Sequence, residues 1–185
     1  MERFFRITEE FLSSSAQPAK FWRVLLGHLA SMILLVPGGR LRMRALQLAL
    51  KRSWDFLSEE CMIPWDAPSR EDLLWWCAEG RLEEGVSLES HFPDTSLWTD
   101  ASGQGWGAAL VDQFARGLWS PLETLSSINM RELLAVERGL LAFVDSLRGK
   151  VVALFCDNTT AIAYLRKQGG TLSPHLNEVA QRVLR

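Results

Sequence analysis

Cysteine and histidine are both scarce in this chain, with three of each among 185 residues. Cys61, Cys77 and Cys156 are odd in number, far apart and not spaced as metal ligands, which argues against a disulfide framework or a zinc module. Unpaired thiols fit a reducing interior, cytoplasm or nucleus. His28 and His91 lie outside the segment that carries the chemistry below, and His175 reads as a surface residue, so none is placed as a general base. No apolar run is long enough for a bilayer: Phe21 to Pro37 is interrupted by Arg23 and His28 and is shorter than the roughly 20 apolar residues a spanning helix needs. The acidic, serine-rich start from Thr8 to Ala16 is unlike a signal peptide. These features exclude a membrane role.

An overall charge of one sign is lacking too, the net value being only -2. The distribution is uneven. Lys20 to Trp54 carries seven basic residues and no acidic one, whereas Asp55 to Asp100 carries twelve acidic residues against Arg70 and Arg81. A basic stretch of that kind fits an anionic partner such as a nucleic-acid backbone; two solvated faces of different sign are the plainer alternative. With 48% hydrophobic and 23% charged residues, the chain has a globular composition and length enough for one good core or two small ones.

Residues 1–19 read as a flexible leader, because Ser13 to Ser15 and Pro18 discourage regular structure. A helix is expected from about Pro18, with Phe21, Leu25, Leu29, Met32 and Leu35 near helical spacing, until Pro37-Gly38-Gly39 stops it. A second follows with Leu41, Ala45, Leu48 and Leu57 on its apolar side and Arg40, Arg44, Lys51 and Arg52 on the other. With Arg42, those basic residues are the candidate phosphate contacts, since such contacts need positive charge and no base-reading geometry. Ser69 to Asp72 opens a third, short helix whose Trp75 and Trp76 could stack on bases, although packing is the commoner use of such a pair. Residues 20–80 thus form a helical segment, 81–94 a linker and 95–185 a second domain.

That second domain is expected to be an α/β unit with a mixed sheet. Strands are read at Ser96–Ala101, Trp106–Val111 and Gly117–Ser120, joined by tight turns as an antiparallel meander. A helix capped by Asn129 then runs to about Leu147, burying Leu133, Val136, Leu140, Phe143 and Leu147. The uncharged run Val151 to Cys156 suits a strand covered on both faces. Asn158 caps a further helix ended by Gly169-Gly170, and Ser173-Pro174 starts the last.

Three carboxylates occupy special places in this order. Asp100 closes the first strand before Ala101-Ser102-Gly103, and Asp157 closes the Val151 strand. Glu132 lies early on the crossover helix, in line with the apolar Val136 and with Gly139, which allows close helix–sheet approach. If the two strands are parallel neighbours, both aspartates reach one crevice at their C-terminal ends. Glu132, turned to the sheet, is then buried at a cost that a cation would offset. Singly each acid has a plainer use, as turn former, cap neighbour or first-turn helix acid. Together they predict a site for Mg2+, a hard cation that shares its shell among carboxylates, water and phosphate, with Mn2+ as a substitute; two such ions suit phosphodiester hydrolysis.

Thr99-Asp100-Ala101-Ser102 with Gly105-Trp106-Gly107-Ala108, then Ile128 to Val136, then Asp157-Asn158-Thr159-Thr160-Ala161, together resemble the ribonuclease H domain of retroelement reverse transcriptases. Tyr164 to Gly170 and Gly39 to Arg44 are similar to the DIRS-type, tyrosine-recombinase retrotransposons, and the likeness runs over residues 20–185. The resemblance implies a ribonuclease H-like fold that cuts the RNA strand of an RNA/DNA hybrid with two magnesium ions held by Asp100, Glu132 and Asp157. It further implies that residues 20–80 are thumb- or connection-like and grip a template-primer duplex, that Asn129, Asn158, Ser102 and Gly103 approach the hybrid, and that the partner is a polymerase palm domain of the same polyprotein. Two departures stand out. The palm's paired aspartates are absent, and the family pattern continues past Arg185 into a histidine-bearing loop and a fourth acidic ligand, so the domain reads as truncated. The rival to a nuclease is an inactive clamp that only holds a duplex. An integrase-like nuclease fits less well, since such enzymes take their glutamate from a late helix.

Overall fold

Phe4, Ile7 and Phe11 recur at three- and four-residue steps, which share one face of a helix. α1 (Glu2–Leu12) forms there and buries all three. The expected flexible leader at residues 1–19 is therefore corrected. Its serines close the helix: Ser13 Oγ donates to the Glu10 carbonyl at 2.7 Å, and Ser14 Oγ to that of Ala16 at 2.8 Å, the local bonding through which serine ends helices. The computed structural model describes residues 2–87, 89 and 91–185. It divides into two units, Met1–Leu88 and Glu89–Arg185. Among the described residues no helix is long and apolar enough to cross a membrane.

In the first unit β1 (Ala16–Pro18) pairs antiparallel with β2 (Met62–Pro64), Gln17 opposite Ile63. α2 (Ala19–Met32) buries Ala19, Trp22, Leu25 and Leu29, with Phe21 and Met32 only partly covered. The helix ends before Leu35, which is off its face and exposed. After a 3-10 turn at Leu41–Met43, α3 (Arg44–Ser53) buries Leu46, Ala49 and Leu50. Ala45 and Leu48 flank this stripe, while Leu57 lies beyond the helix in solvent. α4 (Ala67–Trp76) begins earlier than expected, because Asp66, not Ser69, is its cap: Asp66 Oδ1 accepts the Ser69 amide at 2.8 Å. Trp76 is fully buried, as packing requires.

The second unit is a mixed α/β layer. β3 (Thr95–Ala101) alternates, with Leu97, Thr99 and Ala101 buried against Trp98 and Asp100 exposed. β4 (Gly105–Leu110) pairs antiparallel with it, and β5 (Gln113–Leu118) with β4. The third strand therefore starts earlier than Gly117: a two-residue turn at Val111-Asp112, with Val111 at φ 53°, brings Gln113 opposite Leu110. α5 (Pro121–Thr124) carries a capping box from Ser120 and Glu123. α6 (Ile128–Ala142) and α7 (Val144–Leu147) form the crossover, and β6 (Val152–Phe155) returns parallel to β3. α8 (Thr159–Arg166), capped by Asn158, and α9 (Pro174–Leu184), capped by Ser173, complete the order. The sheet reads β5-β4-β3-β6, three antiparallel strands and one parallel, the arrangement expected of a ribonuclease H-like unit.

Only one face of this sheet carries α6. Phe143 and Leu147 pack there with Leu97, Ala108 and Leu110, and α8 and α9 pack behind through Leu133, Tyr164, Leu176 and Val179. On the opposite face Trp98 and Phe155 stack at 5.1 Å and remain half exposed. The expectation that the Val151–Cys156 strand is covered on both faces is corrected: β6 ends the sheet, and its uncharged side chains are only partly buried. Gly139 sets the helix-to-sheet spacing. A Cβ there would lie 3.0 Å from both Ala108 Cβ and Thr99 Cγ2, atoms on central strands that cannot swing aside. Gly139→Val is expected to lower unfolding free energy by about 1–3 kcal/mol through overpacking, read as a lower urea midpoint at unchanged slope.

Candidate metal centre

The pairing register brings the two aspartates to one end of the sheet. Trp98 is opposite Phe155 in the parallel β3–β6 pair, so Asp100 and Asp157 each stand two residues further along their chains. Both are exposed, and both line a groove of about 840 Å3 with Trp98, Phe155, Phe114 and Arg116. Glu132 comes from the other direction, on the first turns of α6, and is 3% exposed. Its carboxylate lies beside Cys156, whose thiol donates to Glu132 Oε2 at 3.7 Å. One donor atom each from Glu132, Cys156 and Asp157 fall within 4.8 Å of one another. Asp100 is outside that tight group, but its charge acts on Glu132 along with that of Asp157.

Electrostatics follow from this placement. Desolvation pushes the Glu132 carboxyl above its ordinary value, and the Asp157 and Asp100 charges push the same way; bonds from the Cys156 thiol and the Ala101 backbone offset part of the rise. Burial also raises the Cys156 thiol, mainly against a backbone bond at Asn158. Among the described residues none of the three carboxylates has an ion-pair partner. A buried acid beside Asp157 and within the field of Asp100, with no basic side chain paired to it among the described residues, is a donor set suited to a divalent ion, and its hard oxygens suit Mg2+ or Mn2+.

The neighbouring candidates serve the frame. Ser102 Oγ donates to the Gly105 carbonyl at 3.0 Å and accepts the Gly105 amide at 3.0 Å, closing the β3–β4 turn. The Gly103 carbonyl accepts from Arg131 at 3.1 Å, and the Ser102 carbonyl from Trp119 Nε1 at 3.0 Å. Both residues remain exposed. The expected Asn129 cap is corrected: Ser127, in extended backbone, accepts the Met130 amide and caps α6. Asn129 instead accepts from Asn158 Nδ2 at 2.9 Å, while Asn158 Oδ1 accepts the Ala161 amide. That link ties the starts of α6 and α8 beside Asp157.

In the first unit the basic residues are not equivalent. Arg42 is largely covered and pairs with Glu71 at 3.1 Å and buried Asp72 at 3.3 Å. Its guanidinium also lies over Trp75, with Arg81 on the same ring. Arg52 pairs with Asp66, and Arg44 donates to Gln47. Arg42 and Arg52 are thus partly spent on the fold. Lys51 is exposed and Arg40 half-buried. Sequence reasoning missed Arg131, Trp119 and Cys156. The adjacency of Cys156 to Asp157 was visible, but nothing local places its thiol on Glu132, 24 positions away.

No protein-family model matches the chain. No curated protein matches it either. Solved structures of a foamy viral protease-reverse transcriptase overlap it loosely. One, with double-stranded DNA, gives 15% identity over 80% of this chain at a TM-score of 0.33, and a second gives 13% over 87% at 0.34. A third, with an RNA/DNA hybrid, gives 13% over 95% at 0.37. The chain spans 27%, 34% and 25% of those chains. Overlaps this loose carry no argument, and the fold rests on the sheet topology itself.

Proposed function

We propose that residues 95–185 form a ribonuclease H-type endonuclease domain of a retroelement reverse transcriptase, which hydrolyses the RNA strand of RNA/DNA hybrids. One observation carries this reading: the buried carboxylate of Glu132, with no basic side chain paired to it among the described residues, faces Asp157 and feels the Asp100 charge at the C-terminal ends of two parallel strands. Asp100, Glu132 and Asp157 would hold two Mg2+ ions, or Mn2+ in their place. When bound, such ions supply Lewis-acid activation of water and charge stabilisation at the scissile phosphate. The chain's own residues do the rest. Glu132 is immobilised by burial in α6, while Asp100 and Asp157 stay open to the groove, where a phosphodiester can enter. Arg131 and Trp119 brace the turn that follows Asp100 and so hold its strand end in place. Asn129, Asn158, Ser102 and Gly103 border this site as contacts for the hybrid.

Arg40, Arg42, Arg44, Lys51 and Arg52 of the first unit supply positive charge for a template-primer duplex, Arg42 and Arg52 while also paired with Asp72 and Asp66. The resemblance of residues 20–80 to a thumb or connection makes a polymerase palm of the same polyprotein the partner, in an intracellular setting. The test is incubation of the chain with a labelled hybrid. Cleavage of the RNA strand that starts with Mg2+ and stops with a chelator is the expected outcome. Binding that weakens steeply with salt and leaves the RNA intact would instead make this chain a duplex-holding clamp.

A further inference from the structure

The open face of the sheet carries a row of aromatic side chains that the carboxylate chemistry does not use. Phe155, Trp98, Ala109 and Phe114 stand opposite one another across β6, β3, β4 and β5. We propose that the gap over Ala109, between Trp98 and Phe114, binds an unpaired nucleotide of a single-stranded nucleic acid, with its base between the two rings and its phosphate on Arg116. The spacing fits. Neighbouring strands lie about 4.8 Å apart, so Trp98 and Phe114 rise about 9.6 Å from each other with only the Ala109 methyl between them. A planar ring inserted there would sit about 4.8 Å from each, within the range of about 4.5–7 Å over which aromatic rings pair. Both rings have a face to offer. Trp98 stacks on Phe155 through one face, with 11° between the planes, and is still 47% exposed. Phe114 is 81% exposed and has no aromatic partner among the described residues.

Charge decides the class of ligand. Arg116 stands two residues beyond Phe114 on β5, lines the same groove, is exposed, and makes no ion pair among the described residues. The register sets it across Gly107 from Asp100, about 9.6 Å away at the backbone, so a phosphate on Arg116 is held on the side of the groove away from the acids. A Cβ at Gly107 would meet nothing within 4 Å, which leaves that floor open. A nucleotide joins one π face to one anion, and a ring-sized gap beside one unpaired arginine complements both. Bases within a duplex are already stacked on their neighbours, so the gap takes an unpaired one. The proposal goes beyond the nuclease reading, since it uses none of the three carboxylates and requires no hydrolysis.

The experiment titrates the full chain, in EDTA so that nothing is cut, into a short labelled oligothymidylate followed by fluorescence anisotropy. Wild type is expected to bind it. Phe114→Ala removes an exposed ring that the fold does not need, and should weaken binding by about 5- to 100-fold, the worth of one base stack; Phe114→Trp should restore it. Ala109→Leu, which fills the gap, should weaken binding comparably. Arg116→Gln should weaken it and lower the logarithmic salt slope by about 0.7, one phosphate contact on a single strand. Leu172→Ala, at an exposed position outside the groove, should change nothing. No binding by wild type, or binding unchanged in Phe114→Ala and Ala109→Leu, overturns the proposal. Self-association that Phe114→Ala abolishes while oligothymidylate binding stays intact would give the row to a second copy of the chain, and overturns it too. A hybrid left uncut with Mg2+ by a chain that binds the single strand through this row would sink the nuclease reading alone; hybrid cleavage by a chain that leaves the single strand unbound would sink this site alone.

Discussion

Glu132→Gln should reduce Mg2+-dependent cleavage of an RNA/DNA hybrid by about 10^2- to 10^4-fold, the several kcal/mol that a correctly held metal ion contributes to a transition state. Asp100→Asn should do the same, and cleavage surviving in either variant would remove that residue from the mechanism. Glu132→Gln has a second readout. In wild type the Glu132 carboxyl titrates above its ordinary 4.5, chiefly from burial and then from the Asp157 and Asp100 charges. The folded chain therefore keeps a proton that the unfolded chain has lost. Its contribution to stability is whole below pH 4.5 and is gone once pH has risen through the folded value. The metal-free wild type should accordingly lose thermal stability across that window, and Glu132→Gln should lose less. Added Mg2+ should raise the melting temperature of wild type at neutral pH and leave that of Glu132→Gln nearly unchanged. A flat wild-type pH profile would mean that the carboxylate is not desolvated.

Trp22→Ala should destabilise the first unit by about 3–5 kcal/mol, the cost of emptying a large buried aromatic site. Trp22 is fully buried. Its ring meets Phe11 edge-on at 4.9 Å and Trp65 at 5.2 Å, and its indole N–H donates to the Ile63 carbonyl at 3.3 Å. One residue thus joins α1, α2 and the β1–β2 pair. Trp22→Phe keeps much of the ring contact but leaves the Ile63 carbonyl without that donor, and should cost about 1–3 kcal/mol. Urea unfolding followed by Trp fluorescence measures both; equal losses in the two variants would show that the hydrogen bond, not the packing, dominates.

The two units differ in how much of them could be read beforehand. In the second, alternation along Leu97, Trp98, Thr99, Asp100 and Ala101 fixes a half-buried strand, and Leu133, Val136, Phe143 and Leu147 at helical steps fix the crossover face. Those signals are short-range, and the structure keeps them. In the first unit the apolar stripe is placed one residue off at Phe21, and Leu57 lies outside the core. There Trp22 is buried between Phe11 of α1 and Trp65, while Phe21 stacks on the rim of the same Phe11 ring, and α1 is a helix that the serines and Pro18 made look improbable. Helix caps were misplaced for a similar reason. Asn129 and Ser69 are good caps by residue type, but Ser127 and Asp66 stand at the chain positions where the backbone turns from extended to helical.

From its residues alone the chain determined the strand–strand–strand–helix–strand–helix–helix order and the location of Asp100 and Asp157 at strand ends, because periodicity and strand termination act over a few residues. It also determined the close approach at Gly139, where only a missing side chain lets a helix meet a sheet. Tertiary structure decided which groups face each other across long separations: Glu132 with Cys156, Arg42 with Asp72, Asn129 with Asn158. Such pairings depend on the register of β3 against β6 and on how α6 and α8 meet, and no local pattern encodes them. Burial then acts on what has been brought together, turning an ordinary helix glutamate into a desolvated carboxyl group beside a thiol.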